Sequence, residues 1–246
     1  MDDALAVTWI VGAGSGVGRA SATALAATGR RLVLSGRRHE RLEETCRGVR
    51  DAGGSAAAHV LDATDDDAVR AAATRIADEF GPIAEVIFCA GRNVPERSWA
   101  ELDPAGFRDV VEADLIAVAT TISAVLPGMR ERGYGRVVVL SSWAGWTLGR
   151  GAGVAYSASK TALASLTEQL NDQESAHGVS ACVVCPGDID TAFVDQRPSV
   201  PDAAARARML RPEDVARAVA FVVTSPREVC VNELVITPVR SHSYGR

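Results

Sequence analysis

Tyr156 and Lys160 stand four residues apart in Tyr156-Ser157-Ala158-Ser159-Lys160, inside a stretch patterned as a helix from Val154 to His177. Side chains at i and i+4 share a helix face, so a phenol and an ammonium group can be turned into one site. A free tyrosine, with a pKa near 10, is a poor acid–base catalyst at neutral pH; a fixed cation beside it favours the phenolate and lowers that value. Bringing it to about 7 takes roughly 4 kcal/mol, more than Lys160 alone would supply and within reach if a second positive charge helps. Ser141-Ser142 follows the apolar run Val137 to Leu140. A hydroxyl at that point can hydrogen-bond a carbonyl oxygen and stabilise negative charge developing on it. The chemistry of such a trio is proton transfer to or from a substrate oxygen.

A second constellation lies near the N-terminus. Gly12-Ala13-Gly14-Ser15-Gly16-Val17-Gly18 follows an apolar run and opens a helical stretch. Such a turn lets backbone approach a pyrophosphate, and the free N–H groups and dipole of the helix then face the anion. Where an NAD enzyme carries a carboxylate for the ribose hydroxyls, at the end of the second strand, this chain reads Ser35-Gly36-Arg37-Arg38. An acid would repel a 2′-phosphate and an arginine binds it through forked, charge-assisted hydrogen bonds. NADP(H) is therefore favoured over NAD(H), with a cationic nicotinamide as the second charge near Tyr156. Arg38 reads equally well as the start of a solvated helix face.

The elements that must position these residues alternate. Val7 to Val11, Arg31 to Ser35, Ala56 to Leu61, Glu85 to Phe88, Val137 to Leu140, Ala181 to Val184 and Leu234 to Ile236 read as strands, rich in Val, Ile and Leu without strict alternation, as strands buried on both faces are. Gly16 to Thr28, His39 to Ala52, Asp65 to Phe80, Pro104 to Arg130, Val154 to His177 and Pro212 to Ser225 read as helices, with Gly29, Gly53 and Gly178 at helix ends. Strand–helix alternation predicts an α/β fold: a Rossmann-like, doubly wound parallel sheet of about seven strands in a single domain spanning 1–246. Residues 191–211 have a weaker pattern and read as a mobile substrate-loop segment; 240–246 reads as a tail.

These motifs together resemble the short-chain dehydrogenase/reductase family in its compact single-domain form, from Val7 to Pro238: the Gly12/Gly16/Gly18 turn, Leu61-Asp62-Ala63-Thr64, Ala90-Gly91, Ser142, Tyr156/Lys160, and Pro186-Gly187 with Thr191. The resemblance implies an oxidoreductase moving a hydride between nicotinamide and a carbonyl or secondary alcohol. Tyr156 would be the general acid in reduction and the base in oxidation, Lys160 would tune it and hold the ribose, and Ser142 would orient the substrate oxygen. Asp62 and Ala63 would border the adenine, Cys89, Ala90 and Gly91 would pass close to the cofactor, and Ile189 and Thr191 would anchor the carboxamide. Asp62 also reads as a cap on the following helix. The chain departs from the family in Phe88-Cys89 for Asn-Asn, in Val11 for Thr, in Val239-Arg240-Ser241 for Asp-Gly-Gly, and in Asp114 where the family has a catalytic Asn. An amide donates and accepts, whereas an ionised carboxylate only accepts; Asp114 is expected to compete for the charge of Lys160, raising the Tyr156 pKa, unless Asp is simply a neutral replacement.

Composition narrows the alternatives. A chain of 246 residues that is 47% hydrophobic, with a net charge of −5 and no basic stripe, points away from nucleic acid and from anionic membranes. The apolar stretch Leu115 to Leu126 follows Asp114, carries Thr120, Thr121 and Ser123, and reads as too short and polar to span a bilayer. The acidic Met1-Asp2-Asp3 start and odd count of five cysteines suggest a cytoplasmic protein. Cys182-x-x-Cys185 sits in a predicted strand, where residues three apart face opposite ways, and reads as inert core rather than a redox pair. No metal site is expected. Trp143, Trp146, Leu148, Trp99 and Phe193 suggest an apolar or aromatic substrate, though each also fits ordinary packing. A 3-oxoacyl thioester reductase would need a basic rim for a carrier protein, for which Arg92, Arg97 and Arg150 are candidates; a non-catalytic NADP(H) sensor would rest on Asp114. The family resemblance implies a homodimer or homotetramer through the two long helices carrying Asp114 and Tyr156.

Overall fold

The computed structural model describes residues 6–149 and 151–240. The acidic start, Arg150 and the tail from 241 onward lie outside the described residues. Among those described, seven parallel strands form one sheet in the order β3-β2-β1-β4-β5-β6-β7: β1 Val7–Val11, β2 Arg31–Gly36, β3 Ser55–Val60, β4 Ile83–Phe88, β5 Gly135–Leu140, β6 Val179–Pro186 and β7 Glu233–Ile236. Helices cover both faces, so two apolar clusters form. Trp9, Phe88 and Leu163 belong to one and Ile10, Ile87 and Val184 to the other. Neighbouring residues of one strand enter different clusters, because successive side chains leave opposite faces of a sheet. This is why the strands read as unbroken apolar runs. The edge strands β3 and β7 are the exceptions, half-exposed along their length.

The helices begin and end where local chemistry dictates. α1 (Gly16–Leu25) starts at Ser15, whose side chain makes no capping bond. α2 (His39–Asp51) follows Arg38. α3 (Asp66–Phe80) is capped by Asp65, which accepts from Ala68 N at 2.9 Å. Asp62 instead accepts from Thr64 N and Thr64 Oγ1 at 3.1 and 2.8 Å, closing its own turn, so it is not the helix cap.

The single helix expected from Pro104 to Arg130 is interrupted. α4 (Pro104–Val111) passes into a π turn (Glu112–Ile116) and then α5 (Ala117–Arg132). Hydrophobic periodicity does not register one extra residue in a turn. The whole run is long and apolar enough to cross a membrane by length and composition, contrary to the expectation drawn from its central stretch. Its inner face, with Val118, Ile122, Val125 and Met129, is buried in the core of this sheet. Beyond it lie α6 (Trp143–Trp146), α7 (Val154–Glu174), α8 (Ala203–Arg206) and α9 (Pro212–Thr224). Short α6, α8 and the 3-10 turn Ala192–Gln196 escape pattern reading because they are under two helical turns long.

Cys182 and Cys185 fall in opposite clusters, one on each face of β6. Burial pushes their thiols up to about 12 and about 11, so neither is a thiolate at neutral pH. Among the described residues the cysteines are all free, and no grouping of ligating side chains suits a metal.

Candidate active site

The strand order reverses between β1 and β4, and crevices at such switch points, beyond the carboxyl ends of the strands, are where open α/β sheets bind ligands. The glycine turn lies at this point. Gly12 N and Ala13 N donate to Ser35 O at 2.8 and 3.0 Å, and Cys89 N donates to Val11 O at 2.8 Å. Gly12 has φ +87°, and a Cβ there would stand 2.5 Å from Ala90 N; one on Gly18 would stand 2.3 Å from Gly12 O. Only glycine allows the turn to close this tightly on Cys89-Ala90. Gly14 O accepts from Arg19 Nη2 at 2.8 Å, and Val17 packs inward. Thr191 stands on the other side, its methyl 3.5 Å from where a Gly16 Cβ would be, and its hydroxyl accepts from Phe193 N at 3.3 Å. Pro186 and Gly187 close β6, with Gly187 N bonded to Ile236 O, and Ile189 bridges to Leu210.

The residues present fit a dinucleotide. An uncapped helix start faces the crevice beside a turn that excludes any Cβ, leaving backbone N–H groups for a pyrophosphate. At the end of β2, Arg37 and Arg38 are exposed and form no ion pair with another described residue. The charge of Arg37 reaches Asp62, whose carboxyl is held below its usual value mainly by the two Thr64 hydrogen bonds, against the opposing effect of burial. Ala63 is half-buried beside it. Arg37, Arg38, Asp62 and Ala63 thus gather at one end of the crevice.

At the other end stand Ser142, Tyr156, Lys160 and Asp114. Tyr156 and Lys160 lie on the first turns of α7 and turn to the same side, with the Lys160 ammonium 5.6 Å from the centre of the Tyr156 ring. Lys160 is 4% exposed, and its Nζ donates to Leu140 O at 3.1 Å, at the end of β5. Ser142 caps α6, accepting from Ala144 N at 3.2 Å, and its hydroxyl favours the ionised form of Tyr156. Asp114, at the centre of the π turn, is 0% exposed. Its Oδ1 accepts from Arg92 N at 2.7 Å and lies 3.9 Å from Lys160 Nζ, while Oδ2 has no partner among the described residues. Gly91 fits against both: a Cβ would stand 3.0 Å from Asp114 Oδ1 and 3.5 Å from Lys160 Nζ.

The tyrosine is raised, in the direction expected from Asp114, and not lowered as a fixed cation alone would make it. Burial, and after it the Asp114 charge, hold the Tyr156 phenol above its ordinary value; Ser142, Arg197 and Arg97 oppose this. The Asp114 carboxyl is itself raised, because burial outweighs the help of Lys160 and of Arg92 N. The expected contest for Lys160 is present as a distance, and the expected rise of the tyrosine as a direction.

Several aromatic candidates do not line this end. Trp99 is 80% exposed and borders a separate surface depression with Leu102, Pro104, Phe107 and Arg108. Trp146 and Leu148 point to the surface, with Trp143 packed on Trp146 at 4.9 Å. Phe193 does face Tyr156, its ring centre 6.0 Å away. The supposed basic rim dissolves: Arg97 is buried, Arg92 pairs with Asp109 at 3.0 Å, and Arg150 lies outside the described residues. One site residue escaped the sequence reading and one was read for another role. Gly145 lets α6 press on α7, since a Cβ there would stand 2.5 Å from Lys160 O, and Arg97, read as part of a basic rim, instead ties together the loops around Tyr156. The Gly in Trp143-Ala144-Gly145-Trp146 was the available signal for the first.

With this geometry in place, the chain can be compared with known proteins. The family model for short chain dehydrogenases matches residues 6–201, and the chain belongs to that family. It is 35% identical over 233 residues to the cis-4-hydroxycyclohexanecarboxylate dehydrogenase of Sinomonas cyclohexanicum, spanning 93% of each chain. Among solved structures it is similar to an alcohol dehydrogenase from Thermococcus sibiricus complexed with 5-hydroxy-NADP (TM-score 0.84, 28% identity, 95% of this chain and 97% of that one). It is also similar to the closed form of a serine dehydrogenase complexed with NADP+ (TM-score 0.87, 25% identity, 98% of each). The protein is an oxidoreductase of this family.

Proposed function

We propose that the protein is an NADP(H)-dependent reductase of ketones and aldehydes, reversible to the oxidation of secondary alcohols. The observation that carries this reading is the convergence of Tyr156, Ser142 and Lys160 beyond β5, at the crevice mouth opposite Arg37 and Arg38. When bound, NADPH supplies the hydride. Ser142 hydrogen-bonds the carbonyl oxygen, and Tyr156 delivers a proton to that oxygen as it gains negative charge; in oxidation the same phenol oxygen removes the proton. With its pKa raised by burial, the phenol is protonated at neutral pH, the form that donates, but it is a weaker acid than a free tyrosine, so donation leans on the positive charge of Lys160. Lys160, fixed by Leu140 O, holds the nicotinamide ribose and supplies positive charge beside the phenolate. Asp114 fixes the loop at Arg92 and sets the charge around Lys160.

Cofactor preference rests on Arg37 with Arg38, with no acid at the end of β2, and is supported by the NADP named in two similar structures. Gly12, Gly14, Ser15, Gly16, Val17 and Gly18 take the pyrophosphate; Asp62 and Ala63 border the adenine. Cys89, Ala90 and Gly91 run along the cofactor, and Pro186, Gly187, Ile189 and Thr191 hold its carboxamide end. Residues 191–211 cover the substrate, with Phe193 against it and Trp143 at the margin. The name of the Sinomonas relative supports a cyclic secondary alcohol as the first substrate to try. We place the enzyme in the cytoplasm as a homo-oligomer through the faces of α4–α5 and α7.

The test is NADPH and NADH consumption over a panel of cyclic and open-chain ketones, with Tyr156→Phe as the blank. Turnover with NADPH that the blank lacks upholds the reading. Tight NADPH binding with no turnover of any compound overturns it in favour of a cofactor-binding sensor.

A further inference from the structure

Arg97 is a buried charge for which hydride transfer gives no task. It is 8% exposed. Its Nε donates to Val94 O at 3.0 Å, Nη2 to Gln196 O at 2.8 Å and Nη1 to Gly151 O at 3.5 Å. These acceptors come from three segments: the loop after β4, the loop leading into α7, and the 3-10 turn that carries Phe193 to the Tyr156 ring. Gly153, at φ +101°, has room for no Cβ, since one would stand 2.6 Å from Arg97 Cβ; the side chain is packed into place.

The neighbouring arginines are neutralised. Arg197 pairs with Asp188 at 2.5 Å, Arg92 with Asp109, and Arg206 with Asp190 and Asp195. Among the described residues, no carboxylate pairs with Arg97. Carbonyl dipoles satisfy donors without cancelling a net charge, and an unpaired buried charge is costly. A guanidinium has five N–H donors, of which three are engaged, leaving one on each Nη. Two donors in a fixed fork match the two oxygens of a carboxylate. A phosphate dianion would bring one charge more than Arg97 can cancel. Arg97 is also near enough to Tyr156 for its charge to favour the phenolate.

We propose that Arg97 anchors a carboxylate of the substrate, so that the enzyme acts on keto acids and hydroxy acids whose acid group is separate from the reacting carbonyl. This rests on the reductase reading above. The anchor turns the substrate so that its carbonyl meets Ser142 and Tyr156 while its acid lies under the turn carrying Phe193 and Gln196.

The experiment compares kcat/KM with NADPH for a graded series of keto acids, each beside its own carboxamide. For at least one member, the wild-type enzyme should prefer the acid by about ten- to a hundred-fold, the scale of one charged hydrogen-bonding pair. Arg97→Gln should bring that ratio near one, and Arg97→Lys, which keeps charge without the fork, should fall between. A wild-type ratio near one throughout, or a ratio unchanged in a folded Arg97→Gln, overturns the proposal and leaves the reductase reading standing. Should Arg97→Gln fail to fold, the wild-type ratios decide. If no keto compound is turned over, the reductase reading falls and melting of the NADPH-loaded wild type decides the carboxylate site: a Tm rise with cyclohexanecarboxylate and none with its carboxamide upholds it, and equal responses overturn it.

Discussion

Asp114 Oδ1 lies 3.9 Å from Lys160 Nζ, deep in the protein, where the ammonium also serves the tyrosine four residues before it. A carboxylate at this distance acts on both partners. It draws on the lysine charge and disfavours a second negative charge on Tyr156. Replacing Asp114 with Asn removes that negative charge while keeping an acceptor for Arg92 N. The Tyr156 pKa should fall, moving the alkaline rise of alcohol oxidation to lower pH. An unchanged pH–rate profile would sink the idea.

The same substitution has a thermodynamic signature. Burial raises the Asp114 pKa above its unfolded value near 3.9. A raised carboxyl contributes its stability below the unfolded pKa, and that contribution is lost as pH rises through the folded pKa. Asp114→Asn should therefore melt at a higher temperature than the wild type at neutral pH. The gap should close on acidification towards pH 4. A gap that is constant across this window would mean that the carboxyl is ionised throughout.

Tyr156→Phe should lower kcat by about 10²- to 10⁴-fold, the usual scale for one general acid. Its NADPH affinity, measured by fluorescence titration, should stay close to the wild type because the glycine turn is untouched.

Arg37→Ala should weaken NADPH binding by about ten- to a hundred-fold, as expected for a charged hydrogen-bonding partner, and leave NADH binding nearly unchanged. Direct titration with both cofactors checks this, and an equal loss for both would remove Arg37 from the 2′-phosphate.

Gly145→Ala places a methyl 2.5 Å from Lys160 O and 2.6 Å from Ser141 Oγ. The clash is with backbone, so α6 must shift from α7, at about 1–3 kcal/mol for overpacking. Denaturant unfolding should register that loss. Activity per folded molecule should fall as well, because Ser142 caps α6 and Lys160 sits on α7.

The parallel sheet was legible because β1, β4 and β6 are buried on both faces and spell uninterrupted apolar runs. Gly12 and Gly18 were legible because close backbone approach leaves glycine as the only solution. Tyr156 and Lys160 were legible because helix spacing alone joins them. What stayed hidden depends on tertiary position. Arg97 reads as one more surface arginine until its three carbonyl partners, drawn from segments 54 and 99 residues away as well as from its own loop, enclose it. Trp99 and Leu148 read as pocket material, yet both lie open to solvent. The largest cause of the Tyr156 shift was hidden too: the effect of Asp114 was legible, but burial, which no spacing reveals, exceeds it.

The π turn at Glu112–Ile116 carries a consequence for how this chain can vary. Each residue of an α-helix advances about 100° around the axis, so an extra residue in a regular helix would swing everything before it by that angle, and the π turn takes up one residue by widening instead, which keeps α4 and α5 in phase. Without the widening, either Asp114 would leave Lys160 or the Val110 side of α4 would leave the core. The widened turn thus acts as a phase adjuster between two faces of one helix. A further residue inserted there, with no second widening to absorb it, should be less tolerable than most substitutions at the same positions.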